Sequence, residues 1–245
     1  MLKIGILGYG KMGKAIDEAA AQQGLEVAWR IGLANAHERT EDLLRTADVV
    51  IEFSRPEAAF DNVMSCLKAG VPVVSGTTGW NEKIPEVEAF CRNHAGAFLW
   101  ASNFSIGVNI FFAVNQYLAT LFADRTEYEP MITETHHIHK LDAPSGTAIT
   151  LAKGILGQLP RFTAYQLLDP KAADIPSKEV LAITAVRSGE VPGTHLVQWH
   201  SDVDEISIEH RAHSRAGFAL GAVVAARWLV DKHGVFGMQD VLNIR

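Results

Sequence analysis

The sequence predicts an α/β protein, a doubly wound parallel sheet followed by a smaller α+β domain, and three features predict it. Short apolar runs alternate with helical stretches from Lys3 to Trp100, the rhythm of βαβ crossovers. After Gly107 that rhythm stops, and strand-like segments with alternating polarity follow a long apolar helix. With 48% apolar and 20% charged residues over 245 positions, the chain can bury a substantial core and does not have the composition of a disordered one.

In order, Lys3–Leu7 is an apolar strand ended by glycines, and Lys14–Gln23 is helical in composition. Leu25–Ile31 reads as a second strand, Thr40–Thr46 as a short helix and Ala47–Phe53 as a third strand. A helix over Glu57–Ala69 stops at Gly70, Val71–Ser75 is the fourth strand, and Ile84–Arg92 leads helically to a fifth, Ala97–Trp100. Val108–Phe122 is a long apolar helix. Met131–His137, Val180–Arg187, Thr194–His200 and Glu205–His210 have strand character, and alternation such as Glu205-Ile206-Ser207-Ile208-Glu209 predicts a mostly antiparallel sheet with one exposed face. Arg187–Gly193 supplies a turn, whereas Phe162–Lys178, with Pro170 and Pro176, predicts an irregular loop. Gly217–His233 is helical and is expected to return to the first domain. The expected domains are therefore 1–106, completed by a C-terminal helix in 216–245, and 107–215.

Composition narrows function. A net charge of −6 gives no basic footprint for nucleic acid. The longest apolar stretch, Phe218–Val230, is broken by Arg227 and too short for a membrane span. The N-terminus enters a strand at once, leaving no room for a targeting segment. Two thiols, Cys66 and Cys91, read as apolar packers in a reducing compartment, so a cytoplasmic location is expected.

Gly8-Tyr9-Gly10-Lys11-Met12-Gly13 follows the first strand and opens a helix, the context a G-x-G-x-x-G dinucleotide fingerprint requires in a Rossmann-like sheet. The first glycine makes the tight turn, the second admits the pyrophosphate to the backbone, and the third packs helix on strand. Gly8–Lys14 also spells a G-x-x-x-x-G-K phosphate loop, but Ala15 stands where a magnesium-binding hydroxyl is needed, so that reading fails. Trp29-Arg30-Ile31-Gly32-Leu33 carries no acid to read a ribose 2′-hydroxyl. Arg30 or Arg39 can instead meet a 2′-phosphate, which makes the expected cofactor NADPH or NADH with a lean to NADPH.

The densest chemistry is Glu134-Thr135-His136-His137-Ile138-His139-Lys140-Leu141-Asp142-Ala143-Pro144-Ser145-Gly146-Thr147-Ala148. On a strand end His136 and His137 point to opposite faces, poor geometry for one ion, and no zinc-ligand spacing is complete, so no metal is expected. Ser145-Gly146-Thr147 opens a helix whose free N–H groups favour a carboxylate, with Lys140 upstream to add charge. The plainer alternative is an ordinary Ser145 N-cap and a surface lysine. His195, His200, His210 and His213 fall on separate segments and receive no role.

This run resembles the signature of the dihydrodipicolinate reductase family, E-x-H-H-x-x-K-x-D-A-P-S-G-T-A. Phe53-Ser54-Arg55-Pro56, Ser75-Gly76-Thr77-Thr78-Gly79, Ser102-Asn103-Phe104-Ser105-Ile106-Gly107-Val108-Asn109, Arg187-Ser188-Gly189 and His213–Ala219 agree in order, so the similarity spans nearly the whole chain. The resemblance implies NAD(P)H-dependent reduction of a small cyclic dicarboxylate imine in diaminopimelate and lysine biosynthesis, by a homotetramer. It implies that His136 and Lys140 are the acid–base histidine and proton-donating lysine, and that His137, Gly146 and Thr147 bind substrate. Gly8 to Gly13, Phe53, Ser54, Arg55, Gly76, Thr77, Thr78, Ser102, Asn103, Phe104 and Ser105 would contact the cofactor. The missing acid at Gly32 departs from many members and puts NADH preference in doubt. Other readings are a different imine or ketone reductase on the same plan, a dinucleotide sensor without turnover, or a scaffold built on the second sheet.

Overall fold

The structure, a computed structural model, describes residues 1–168, 177–214 and 216–244. In chain order its elements are β1 (Lys3–Leu7), α1 (Lys11–Gln22), β2 (Glu26–Ile31), α2 (Glu41–Leu44), β3 (Val49–Glu52), α3 (Pro56–Lys68), β4 (Val73–Ser75), α4 (Ile84–His94) and β5 (Ala97–Trp100). There follow α5 (Ile106–Leu121), β6 (Glu129–His136), α6 (Gly146–Leu156), β7 (Ala164–Leu168), β8 (Val180–Arg187), β9 (Thr194–His200) and β10 (Glu205–Arg211). The last are α7 (Ala216–Leu229), β11 (Gly234–Phe236) and α8 (Met238–Val241). The chain separates into two compact units, Met1–Ile106 with Ala216–Arg245, and Gly107–Arg215.

The first unit is a six-stranded sheet of order β11-β5-β4-β3-β1-β2, with every pairing parallel. Its central strands read as unbroken apolar runs because both faces are covered; Val49 to Glu52 are all buried. One face packs Ile4, Ile6, Val49 and Ile51 against α1 and α7. The other packs Leu7, Val50 and Val73 against α3 and α4. The chain leaves β1 toward β2 on one side and returns to β3 on the other. The crevice beyond the strand ends at that reversal is where such sheets take ligands.

The C-terminal segment differs from the single helix expected over 216–245. Helix α7 ends at Leu229, and Gly234–Phe236 then adds β11 to the edge at β5 before α8. Three residues are too few for a periodic signal, so only the tertiary pairing defines that strand.

The second unit has the order β10-β9-β6-β8-β7. Strands β10, β9 and β6 run antiparallel, while β6, β8 and β7 run parallel. The sheet is therefore mixed, with two of its four pairings antiparallel, where the alternation alone suggested a clear majority. The cause is α6, which carries the chain from the end of β6 back across the sheet, so that β7 and β8 run in β6's direction. One face buries Ile132, Ile183, Val197 and Trp199 against Phe111, Leu151 and Ile155. The opposite face carries Met131, Thr133, Thr135, Ala182, Thr184, Val186 and Leu196, mostly small or apolar, with Met131 and Val186 exposed and the others part-buried.

Within the expected loop of Phe162–Lys178, Ala164–Leu168 instead forms the edge strand β7, drawn in because Tyr165 packs on the core. Residues 162–163 and 177–178 are irregular as expected, while 169–176 lie outside the described residues, as does Arg215. Among the described residues no helix is long and apolar enough to cross a membrane. Cys66 and Cys91 are free and buried.

Candidate active site

The switch-point crevice of the first unit is a cavity of about 590 Å³ whose walls include Gly8, Tyr9, Gly10, Gly32, Arg39 and Phe53. Gly8 has φ +93°, and a Cβ there would lie 2.1 Å from the Phe53 carbonyl oxygen, so only glycine fits this turn. A Cβ on Gly10 would meet nothing within 4 Å; the backbone there is open. No side chain caps α1, whose first-turn N–H groups at Lys11, Met12 and Gly13 are left for an anion. These residues fit a dinucleotide. Tyr9, Ser54 and Arg55 also line the cavity.

The remaining cofactor candidates, Gly76, Thr77 and Thr78 after β4 and Ser102 to Ser105 after β5, do not line that cavity but are tied to its wall. The Gly76 amide donates to the Glu52 carbonyl at 3.0 Å, and the Ser54 amide donates to Thr77 Oγ1 at 2.9 Å. The Phe53 ring lies where a side chain on Gly76 would stand, and it meets Phe104 at 5.5 Å between centroids. Glu52, unmarked by any motif, holds these loops. It is fully buried and accepts from Ser75 Oγ at 2.6 Å, Thr77 Oγ1 at 3.0 Å and the Ser54 amide at 3.0 Å.

Of the two arginines expected near a 2′-phosphate, Arg30 is committed elsewhere. It forks onto Asp17, with Nη2 to Oδ1 at 2.7 Å, and Tyr9 donates to the same carboxylate. Arg30 and Tyr9 together hold the Asp17 carboxyl below its ordinary range, the arginine hydrogen bond leading. Arg39 lines the cavity.

In the second unit the His–Lys segment bends from the end of β6 into α6 around a buried carboxylate. Glu134, with no exposed surface, accepts from the Ser145 amide at 3.0 Å and from Arg187 Nη2 at 3.2 Å. Arg187 also donates to the Asp142 carbonyl at 2.7 Å and the Lys140 carbonyl at 3.3 Å, which fixes the course of the loop. Ser145 caps α6 by accepting from the Ala148 amide at 3.2 Å. The N–H groups of Gly146 and Thr147 stay available, and the space beside Gly146 is empty. Lys140 Nζ bonds both oxygens of Asp142, at 2.7 and 2.6 Å.

His136 closes β6 with its ring buried, while His137 lies just beyond the strand, only part-buried. Burial pushes the His136 pKa below its ordinary 6.5, helped by the cations of Lys140 and Arg187. Glu134, 3.5 Å from Nδ1, opposes this and loses, so the ring is neutral near neutral pH. His195, given no role by the sequence, stands across the strand pair from Glu134, edge-on to His136 at 5.1 Å and 3.1 Å from Ser145 Oγ. Burial first, then His136, pushes its pKa down to about 4.

Glu134, His136 and His195 bring three ligand-type atoms within 4.8 Å of one another, the carboxylate that sequence spacing did not supply. The Glu134 oxygens already serve Ser145 and the Arg187 guanidinium, which would repel a cation. Glu134 and His195 both bond Ser145 and so support the first turn of α6, while His136 Nδ1 stands 3.5 Å from Glu134 without a hydrogen bond to it. Glu134 was legible as a strand partner two residues before His136, on the same face. His195 was not, because its register with β6 is a tertiary fact.

The depressed His195 pKa has a consequence for stability. Unfolding restores an ordinary histidine that binds a proton the folded form refuses, so stability is full above pH ~6.5 and falls as pH drops toward ~4. The loss reaches roughly 3 kcal/mol at the acid end of that window. Urea midpoints at pH ~7.5 and ~5 are expected to differ in the wild type and to differ less in His195→Asn, His136 still contributing to the gap; an equal gap in both would remove His195 as a cause.

Comparison with known proteins agrees across the chain. Residues 2–104 match the family described as dihydrodipicolinate reductase, N-terminus, and residues 107–242 the corresponding C-terminus. A 4-hydroxy-tetrahydrodipicolinate reductase of Christiangramia forsetii is 45% identical over 242 residues, covering 99% of this chain and 98% of that one. A reductase of the same name from Zymomonas mobilis is 37% identical over 252 residues, with 99% and 98% covered. Among solved structures, the dipicolinate-bound dihydrodipicolinate reductase of Paenisporosarcina sp. TG-14 superposes with a TM-score of 0.77 at 22% identity, covering 98% of this chain and 99% of that one. An amine dehydrogenase of Mycobacterium smegmatis shares the fold at a TM-score of 0.58 and 9% identity, with 96% and 94% covered.

Proposed function

Because the chain belongs to the dihydrodipicolinate reductase family, we propose that it reduces 4-hydroxy-tetrahydrodipicolinate to tetrahydrodipicolinate with NADPH or NADH, a step of diaminopimelate and lysine biosynthesis. One observation carries the residue-level reading. The open first turn of α6 is tied through Ser145, Glu134 and Arg187 to the loop that bears Lys140, beside a buried neutral His136.

The first unit binds the dinucleotide and the second the dicarboxylate imine. Bound, the dihydronicotinamide would supply the hydride, and the substrate's 4-hydroxyl leaves as water, so that substrate, NAD(P)H and one proton give tetrahydrodipicolinate, NAD(P)⁺ and water. Gly146 and Thr147 hold one substrate carboxylate on their N–H groups, and His137 contacts the substrate. Lys140 supplies positive charge and the proton, drawing away from Asp142 as the anionic substrate arrives. His136, neutral, accepts or relays a proton rather than carrying one in reserve. Gly8 to Gly13 seat the pyrophosphate. The Phe53–Arg55, Gly76–Thr78 and Ser102–Ser105 loops shape the rest of the cofactor site. Arg39 reads a 2′-phosphate, which favours NADPH.

The test is NAD(P)H oxidation with substrate generated in situ from pyruvate and aspartate semialdehyde by the preceding aldolase, the two cofactors side by side. Aldolase-dependent oxidation, faster with NADPH at low cofactor, is the expected result. Folded protein that binds both cofactors and oxidises neither sinks the assignment.

The part-buried outer face of the second sheet supports self-association as a homotetramer. Light scattering that returns the mass of one chain would remove it. The two free buried thiols support a cytoplasmic location, which cell fractionation checks.

A further inference from the structure

Arg39 does not stand alone on the cavity wall. Its guanidinium donates to Oδ1 of Asn62, which lines the same cavity and is 7% exposed. The other end of that amide, Nδ2, donates to Ser54 Oγ at 3.0 Å. The orientation is forced, because a guanidinium only donates and so must face the amide oxygen. The Ser54 hydroxyl is itself turned, since it donates to Glu52 Oε1 and therefore offers a lone pair to Asn62. Glu52 is fully buried and also bound by Ser75 and Thr77. A flexible cation at the mouth of the nucleotide cavity is thus tethered, through two neutral side chains, to a fixed carboxylate in β3.

A free arginine samples many rotamers and must surrender them when it binds an anion. Asn62 takes up part of that cost before any ligand arrives. The benefit reaches only a ligand that uses Arg39. A dinucleotide with a 2′-phosphate does so; one with a 2′-hydroxyl does not. We propose that Asn62 is a specificity-determining positioning residue, holding Arg39 so that the chain favours the 2′-phosphorylated dinucleotide. The proposal rests on the reading of Arg39 given above. No sequence motif marks Asn62; it sits in the second turn of α3, and its part is visible only in the cavity.

Dissociation constants for NADPH and NADH, measured by fluorescence titration, test it in the wild type, Arg39→Ala, Asn62→Leu, Asn62→Asp and the Arg39→Ala/Asn62→Leu double variant. Asn62→Leu is expected to weaken NADPH about five- to tenfold, the scale of one ordinary hydrogen bond, and to leave NADH within about twofold. Asn62→Asp keeps the volume and adds a negative charge near the phosphate, so it should weaken NADPH further while sparing NADH. In the double variant the Asn62 change should add nothing, because its effect passes through Arg39. Equal losses for both dinucleotides in Asn62→Leu and Asn62→Asp would make Asn62 a support of the cavity as a whole and overturn the proposal, as would unchanged NADPH binding in both. An NADPH-to-NADH ratio untouched by Arg39→Ala would instead overturn the reading of Arg39 itself.

Discussion

Lys140→Ala is expected to lower kcat by about 10²- to 10⁴-fold, the span that a positioned proton donor contributes, with NADPH affinity within about twofold of wild type. The ammonium is half-buried and held at 2.6 Å by Asp142 on a loop that Arg187 pins by two main-chain carbonyls. Alanine removes the proton and the charge together. His136→Gln should cost less, because burial keeps the histidine neutral and glutamine retains a neutral donor and acceptor near the same place. The ranking decides the chemistry. Single-turnover rates that fall as far for His136→Gln as for Lys140→Ala would make His136 the donor. Wild-type turnover in Lys140→Ala would take the lysine out of the mechanism.

Glu134→Ala is expected to cost about 3–5 kcal/mol of stability, as breaking one side of a buried ion pair does, and to abolish turnover. It removes the partner of the Arg187 guanidinium and of the Ser145 amide at one stroke, the two groups that fix the Lys140 loop and the start of α6. Glu134→Gln should cost about 1–2 kcal/mol, since one oxygen still accepts while the new NH₂ faces a donor. Thermal and urea unfolding, followed alongside activity, would show this ordering; a Glu134→Ala protein as stable and active as wild type would mean the carboxylate supports nothing.

The parallel sheet and the helices around it were legible because each strand from β1 to β5 is a bounded apolar run and each helix has a stop signal, Gly70 being the plainest. Strands β5, β8 and β9 matched their expected limits residue for residue. The edge strands β7 and β11 were not legible, because pairing rather than pattern defines them. The site divided along the same line. Motifs with a local mechanism, Gly8 to Gly13 and Ser145 to Thr147, could be read from the chain alone. Their supports could not. Glu52, Asn62, Arg187 and His195 act on residues distant in sequence, and nothing in their neighbours announces a buried hydrogen bond. The sequence favoured neither Arg30 nor Arg39; Asp17 and Tyr9 settle which is engaged elsewhere.

The strand that finishes the first sheet, Gly234–Phe236, pairs with an edge laid down at Ala97–Trp100. During synthesis the growing chain must therefore carry that edge unpaired, and without α7 over the apolar face of β1 and β3, while residues 107–215 are made. Residues 1–106 leave the ribosome as an unfinished sheet with a waiting socket, and α7 and β11, which close it, are translated only after residues 107–215. A nascent chain halted just short of Phe236 would be the form that chaperones hold and proteases find.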